Sequence, residues 1–268
     1  MDGFETARHA LAAFPDEAGA FAVDAEGHEL FCEREDEVFP SASVIKLPLV
    51  MTLYADAAAG RLDLDQRVPV GDRVDGSGVL RHMRDVDALS LRDLAMLSII
   101  VSDNTATNRL IERVGVERVA ARLAEWGCPR TRLARKMYDF EAAKRGLENL
   151  ITPRETASLL ARLVRGECAD RATSDAVVAV LAECQDRTML RRYLPYATKV
   201  PHKTGTLDES RNDAAIIPGP RPVIVAAFTR KLRDTGAAVA WLGLLGWCAY
   251  RAAGNPGDAL PPELTRTA

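Results

Sequence analysis

A serine and a lysine three residues apart, Ser43 and Lys46, stand directly before a strongly apolar run at residues 47–51. If a helix begins at about Ser43, positions i and i+3 share one face, so the lysine amine points toward the serine oxygen. A serine hydroxyl is a weak nucleophile at neutral pH and needs a neighbouring base. A lysine can be that base when burial lowers its pKa. The pair therefore predicts a nucleophile site.

Two further short motifs follow in chain order, Ser102-Asp103-Asn104 and Lys203-Thr204-Gly205. Each motif alone is a weak signal, because a Ser-x-x-Lys spacing arises by chance roughly once in a chain of this length. A fixed tripeptide should occur in roughly a few per cent of such chains. All three in this order are much rarer by chance. The set therefore favours a catalytic interpretation of Ser43 over a helix cap beside a surface lysine.

Hydrophobic periodicity and turn residues predict the elements that must position these motifs. Helices are expected over residues 2–13, 43–59, 90–100, 105–114, 117–126, 172–184 and 235–252, with one more opened by Thr152 and Pro153. Strands are expected over residues 19–24, 28–32, 198–205, 213–217 and 223–228. The polar stretch 128–151 predicts a long loop with short helical pieces, and loops of this length are often functional.

The order of these elements predicts an α/β (α+β) fold. Strands from the two ends of the chain would share one five-stranded antiparallel sheet, flanked by the terminal helices. The middle helices would form an inserted all-helical lobe. We expect residues 1–41 with 190–268 to form the sheet lobe, residues 42–189 to form the helical lobe, and the active site to lie between them.

Composition and charge exclude several classes of function. The 268 residues are 47% hydrophobic, and the net charge of −3 does not favour nucleic acid or an anionic membrane as a main partner. Five scattered cysteines predict free thiols in a reducing compartment. The acidic N-terminal stretch lacks the apolar core of a secretory signal, so we expect a cytoplasmic protein. Neither a metal nor a cofactor is predicted, since His82 and His202 have no matching ligands.

The three motifs and the residues next to them resemble those of a known family. Phe39-Pro40 before the serine, Ser102-Asp103-Asn104-Thr105-Ala106, and His202-Lys203-Thr204-Gly205-Thr206 resemble the serine β-lactamase and penicillin-recognising family. They look most like its class A branch, and the resemblance covers nearly all of the chain. It implies a mixed sheet with an inserted helical lobe, in agreement with the predicted layout.

The resemblance implies four catalytic residues. Ser43 would attack an amide or ester carbonyl and become acylated, while Lys46 would take its proton directly or through water. Ser102 would lie between Lys46 and Lys203 and pass a proton to the leaving nitrogen. The backbone N–H groups of Ser43 and Thr206 would form the oxyanion hole.

The same resemblance implies a set of substrate contacts. Asn104 would hold a substrate amide, and Lys203 with Thr204 would bind a substrate carboxylate. Gly205 would let its strand lie close to the substrate. Arg211 would pair with a substrate carboxylate or, equally, with Asp213 or Glu209.

One feature of the class A branch is missing. Its Glu-x-x-Leu-Asn motif, whose glutamate activates the deacylating water, does not occur before Pro153. Counting back from Pro153 places a residue near Lys136, which is not a carboxylate, at the expected position of the base. Asp139 and Glu141 are nearby acids that could replace it, or they could be solvated or paired with a basic residue of the loop.

These observations support the acylation of Ser43 better than the later release of the acyl group from it. The first hypothesis is a β-lactamase-like serine hydrolase that cleaves a small-molecule lactam, amide or ester. The second is an acyltransferase that uses the same acyl-serine. The third is a β-lactam-binding protein with little turnover.

Overall fold

A five-stranded sheet forms the centre of the molecule in the computed structural model, which describes residues 3–14 and 16–257. The strands are β1 (Glu17–Asp24), β2 (Glu29–Glu33), β3 (Phe39–Pro40), β4 (Arg67–Pro69), β5 (Ala88–Ser90), β6 (Leu150–Ile151), β7 (His202–Leu207), β8 (Ser210–Ile217) and β9 (Val223–Arg230). The main sheet is antiparallel, in the order β2-β1-β9-β8-β7. The predicted sheet is therefore confirmed.

Helices lie between and around these strands. They are α1 (Glu5–Ala12), α2 (Lys46–Ala58), α3 (Leu91–Ile100), α4 (Asn104–Val114), α5 (Val116–Glu125), α6 (Phe140–Lys144), α7 (Pro153–Arg165), α8 (Arg171–Ala182) and α9 (Thr235–Ala252). Two small two-stranded pairs, β3 with β6 and β4 with β5, fasten the connecting segments. None of the helices in the described ranges is both long and apolar enough to cross a membrane.

The main sheet, in which β9 is the central strand, separates two apolar cores. Successive side chains of a strand point to opposite faces. Ile224 and Phe228 pack into the core shared with the middle helices, whereas Val223 and Val225 pack against α1 and α9. This explains the continuous apolar run that predicts a fully covered strand. The division of the chain into lobes at residues 42 and 190 stays a prediction.

Two element boundaries differ from the expected ones. A 3₁₀ turn at Ala42–Ile45 precedes α2, which begins at Lys46 rather than at Ser43. The turn forms because Val44 N donates to Ser41 O at 3.1 Å, an i to i+3 bond. The strand expected from residue 198 begins at His202, since Pro201 has no N–H for the ladder.

Two predicted helix starts are confirmed by their caps. Ser90 Oγ accepts a hydrogen bond from Asp93 N at 3.0 Å and begins α3. Thr152 Oγ1 accepts from Glu155 N at 3.2 Å and begins α7, with Pro153 in its first turn. The Glu155 carboxylate in turn accepts from Thr131, which ties the 128–151 loop to α7.

A charge cluster around Asp56 joins α2 to α5. The Asp56 side chain is buried and accepts hydrogen bonds from Arg61, Arg118 and Arg122. Burial raises the pKa of this carboxyl, but the three guanidinium groups outweigh burial and hold it well below the usual range. The carboxylate therefore helps to fix the C-terminal part of α2, the helix that begins at Lys46.

Replacing Asp56 tests this cluster. Asp56→Asn should lower the free energy of unfolding at pH 7 by about 2 kcal/mol, because Arg118 and Arg122, which are partly buried, lose their counter-charge. The native carboxyl has the lower pKa, so its contribution is complete above about pH 4 and is lost as pH falls further. Denaturant unfolding at several pH values measures both effects.

The matched control is Asp175→Asn, which removes an exposed acid from α8. It should change stability by less than about 0.5 kcal/mol. Equal stability of wild type and Asp56→Asn at pH 7 would contradict the interpretation of the cluster.

Candidate active site

The three motifs meet around one cleft. The cleft encloses about 340 Å³ and lies between the 3₁₀ turn, the α3–α4 junction and β7. Ser43, Ser102 and residues 203–206 line it. The fold therefore brings together, from distant parts of the chain, most of the residues that sequence reasoning selected.

The Lys46 amine is fully buried and hydrogen-bonded at this junction. Its Nζ donates to the Ser102 carbonyl at 2.7 Å and to Asn104 Oδ1 at 2.9 Å, and it lies 3.1 Å from Ser102 Oγ. The carbonyl and amide oxygens can only accept, whereas the hydroxyl can also donate. An ammonium satisfies all three oxygens by donating three times, and a neutral amine does so by donating twice and accepting from the Ser102 hydroxyl.

Burial and the nearby Lys203 charge lower the pKa of Lys46 well below its usual value, against a smaller opposing effect of Asp103. Burial thus favours the neutral amine over the ammonium form. Lys46 begins α2, one turn after Ser43, which lies in the preceding 3₁₀ turn. The arrangement places a buried amine against Ser102 and one turn after Ser43, and both serines line the cleft.

Asp103 holds the α3–α4 junction together. One carboxylate oxygen caps α4 by accepting from Ala106 N at 2.9 Å. The other accepts from Val79 N at 2.7 Å and Leu80 N at 2.8 Å. Asp103 thus fixes the loop that faces the cleft, and Ser102 is held with a positive φ of 54°. This geometry agrees with a structural role for Asp103.

Asn104 is more enclosed than its expected substrate contact suggests. The side chain is 5% exposed, and it does not belong to the cleft lining. Its Nδ2 donates to Asp75 O at 2.9 Å, while its Oδ1 accepts from Lys46. In this structure Asn104 positions the Lys46 amine and the Asp75 loop.

Lys203 forms the cationic end of the cleft. The side chain is buried, and Nζ donates to Thr204 O at 2.8 Å. Burial lowers the pKa of Lys203, while the thiol of Cys184 and the carboxylates of Asp186 and Asp213 act in the opposite direction. The cation is therefore surrounded by acidic groups of the protein itself.

A buried histidine that sequence reasoning treated as an ordinary polar residue lies behind Lys203. His202 Nδ1 is 3.1 Å from Asp213 Oδ1 on the neighbouring strand β8. Burial lowers the pKa of His202, but Asp213 and Cys184 outweigh it and raise it to about 10. Residues 184–186, which follow α8, also line the cleft and were missed, because nothing in their local pattern indicates that α8 ends beside β7.

Three of the predicted site residues lie elsewhere. Arg211 donates to the backbone oxygens of Leu207 and Ser210 and braces the β7–β8 turn, rather than pairing with Asp213 or Glu209. Asp139 Oδ1 accepts from Ala142 N at 2.9 Å and caps α6. Exposed Glu141 pairs with Lys144. Neither acid belongs to the lining of the Ser43 cleft.

The loop position near Lys136, where the class A branch has its deacylation base, has no carboxylate in the structure. Lys136 forms an ion pair with Glu112, which directs its amine to α4. Asn108 accepts from Met137 N at 2.8 Å and donates to Met137 O at 3.0 Å, so this part of the loop is fixed.

Elsewhere in the described chain, Asp24, Glu26 and His28 lie close enough to share a metal ion, but they form the exposed β1–β2 turn.

Gly205 allows β7 to approach the nucleophile. A Cβ at this position would lie 2.9 Å from both Ser43 N and Ala42 Cβ.

Gly205→Ala should therefore displace Ser43 and reduce its acylation rate about 100-fold, since small displacements of reacting groups are costly. Acylation is measured by intact mass spectrometry, and Gly3→Ala, where an added Cβ meets only Ala252 Cβ at 3.9 Å, is the control. A Gly205→Ala variant with wild-type acylation would contradict the assignment.

The sheet, the helices and this site together define a serine hydrolase of the β-lactamase type. The chain belongs to the β-lactamase enzyme family, whose sequence model matches residues 4–253. The predicted family and enzyme class are therefore confirmed.

Individual relatives agree with this assignment. The chain is 32% identical over 219 residues to β-lactamase L2 of Stenotrophomonas maltophilia, covering 78% of this chain and 72% of the relative. A β-lactamase structure from Sphaerobacter thermophilus is 33% identical with a TM-score of 0.87, covering 95% of this chain and 99% of that one. An ancestral class A β-lactamase is 29% identical with a TM-score of 0.83, at 93% and 99% coverage.

Proposed function

We propose that this protein cleaves a β-lactam or a related amide or ester through an acyl-enzyme on Ser43. The observation that carries the proposal is the buried Lys46 amine, bonded to Ser102 and placed one turn from Ser43 at the cleft. The β-lactamase relatives support the substrate class. They include L2, a structure of which has been determined in complex with relebactam.

Acylation begins with removal of the Ser43 proton. The neutral Lys46 amine accepts it, directly or through one water, as Oγ attacks the carbonyl carbon. Negative charge then develops on the carbonyl oxygen, where the N–H groups of Ser43 and Thr206 can stabilise it. Both residues line the cleft, and Gly205 permits the close contact of β7 with the 3₁₀ turn.

Ser102 completes the proton path. Its hydroxyl lies 3.1 Å from Lys46 Nζ and lines the cleft, so it can pass the proton to the leaving nitrogen. Lys203 contributes positive charge at the same side. Collapse of the tetrahedral intermediate breaks the carbon–nitrogen bond and leaves an ester on Ser43.

The catalytic pair is tested by adduct formation. Ser43→Ala should abolish the penicillin adduct seen by intact mass spectrometry. Lys46→Ala should slow its formation by about 10²–10⁴-fold, the usual contribution of a general base. Lys199→Ala, an exposed lysine paired with Glu183, is the matched control and should acylate normally.

The pH dependence has a defined sign. Because the pKa of Lys46 is lowered well below its usual value, the wild-type acylation rate should fall as pH drops through that lowered pKa. An adduct that persists in Ser43→Ala would contradict the proposed nucleophile.

The fate of the acyl group on Ser43 distinguishes the three hypotheses, which are a hydrolase, an acyltransferase and a β-lactam-binding protein with little turnover. Without a carboxylate at the position near Lys136, slow hydrolysis, transfer to an amine, and long-lived binding all remain compatible with acylation. Asp139 and Glu141 stay the candidate bases of the loop. Their contacts with α6 and Lys144, however, favour a structural role.

Paired variants test the two acids. Asp139→Asn and Glu141→Gln should leave the decay rate of the acyl-enzyme within about twofold of wild type, because neither carboxylate lines the cleft. The decay of the adduct mass after removal of free penicillin measures this rate. A loss of about 10²-fold in either variant would instead identify that residue as the deacylation base.

The proposed cytoplasmic location rests on the cysteines. All five are free thiols, four of them buried. Free thiols are typical of a reducing compartment.

A further inference from the structure

A short segment after α8 brings a carboxylate into the substrate cleft. Asp186 lines the cleft together with Lys203 and Thr204. Its neighbour Gln185 donates from its backbone N to Ile100 O at 3.0 Å, which fixes the segment against α3. Arg191 donates to Cys184 O at 2.9 Å and holds the segment from the other side. The position of Asp186 is therefore determined by the fold.

The Asp186 carboxylate is held by Thr188. Its Oδ1 accepts from Thr188 N at 2.9 Å and from Thr188 Oγ1 at 2.7 Å. Thr204 and Lys203 line the same cleft beside this carboxylate. Burial raises the pKa of Asp186, but these hydrogen bonds outweigh it, so that the pKa is lowered and the group is ionised at neutral pH.

This placement changes the electrostatics of the cationic end of the cleft. The family resemblance implies that Lys203 and Thr204 bind a free carboxylate of the substrate. Here Asp186 places a negative charge in the same cleft lining and partly offsets the charge of Lys203. A substrate carboxylate would approach this like charge in a partly desolvated site.

We propose that Asp186 sets the substrate class of this cleft: it favours acyl compounds that are neutral or positively charged at the Lys203–Thr204 end over those with a free carboxylate there. The inference rests on the proposed acylation of Ser43. An uncharged ester or amide group can accept from Lys203 without repulsion from Asp186. A cationic group would add a direct attraction to the Asp186 carboxylate.

A matched pair of substrates tests this selectivity. One is a penicillin with its free carboxylate, and the other is the methyl ester of the same compound. The second-order rate of Ser43 acylation is measured for each by intact mass spectrometry. Wild type should acylate with the ester at least as fast as with the acid.

Asp186→Asn removes the charge while keeping an oxygen that can accept from Thr188. It should raise the acylation rate with the acid about tenfold, mainly by tightening binding, and leave the rate with the ester within about twofold. The wild-type preference should also weaken at high ionic strength, because salt screens the repulsion. Asp186→Ala should shift the ratio in the same direction although it loses the Thr188 contact.

The control variant is Asp208→Asn, which removes an equal charge from the exposed β7–β8 turn outside the cleft. It should leave the acid-to-ester ratio unchanged. An unchanged ratio in both Asp186 variants would overturn the inference, and so would equal changes with both substrates, which indicate a purely structural role. If neither compound acylates Ser43 in any variant, the proposed function itself fails, and the inference fails with it.

Discussion

The structure depends on keeping the amine of Lys46 buried without a carboxylate partner. Removing an ammonium group from water is costly, so the protein favours the neutral form and supplies oxygens suited to an amine. Those oxygens belong to Ser102 and Asn104, which lie 56 and 58 residues further along the chain. The base at the start of α2 therefore exists only when the α3–α4 junction is packed against it.

Several residues far from the reaction serve to hold that junction. Asp103 caps α4 and binds the backbone of residues 79 and 80. Gly78 permits this approach, since a Cβ there would lie 2.3 Å from Asp103 Oδ2, and its φ of +111° disfavours other residues. Ser102 and Ala42 are themselves held at positive φ beside the cleft. Strained backbone of this kind gathers where the surrounding packing fixes it, as around a catalytic centre.

Sequence reasoning was most successful where chemistry and local pattern coincide. The apolar run of β9 and the caps at Ser90 and Thr152 depend on nearest neighbours, so their elements were predictable. The three motifs selected residues that the fold brings to one cleft, because their residue types are rare in combination. The enclosure of Asn104 was not predictable, since it results from a contact with the Asp75 loop that no local signal indicates. Asp186 was missed for the same reason, because only tertiary packing brings the end of α8 beside β7.

The central claim is that Lys46 is a neutral base at physiological pH. The most direct test is an NMR titration of ¹³C-labelled lysine side chains, with the Lys46 signal assigned by its loss in Lys46→Arg. The account predicts that Lys46 titrates well below the usual lysine range of about 10.4, as burial and Lys203 require. A Lys46 signal that titrates in the ordinary range would contradict the account, because the amine would then be protonated when Ser43 must lose its proton.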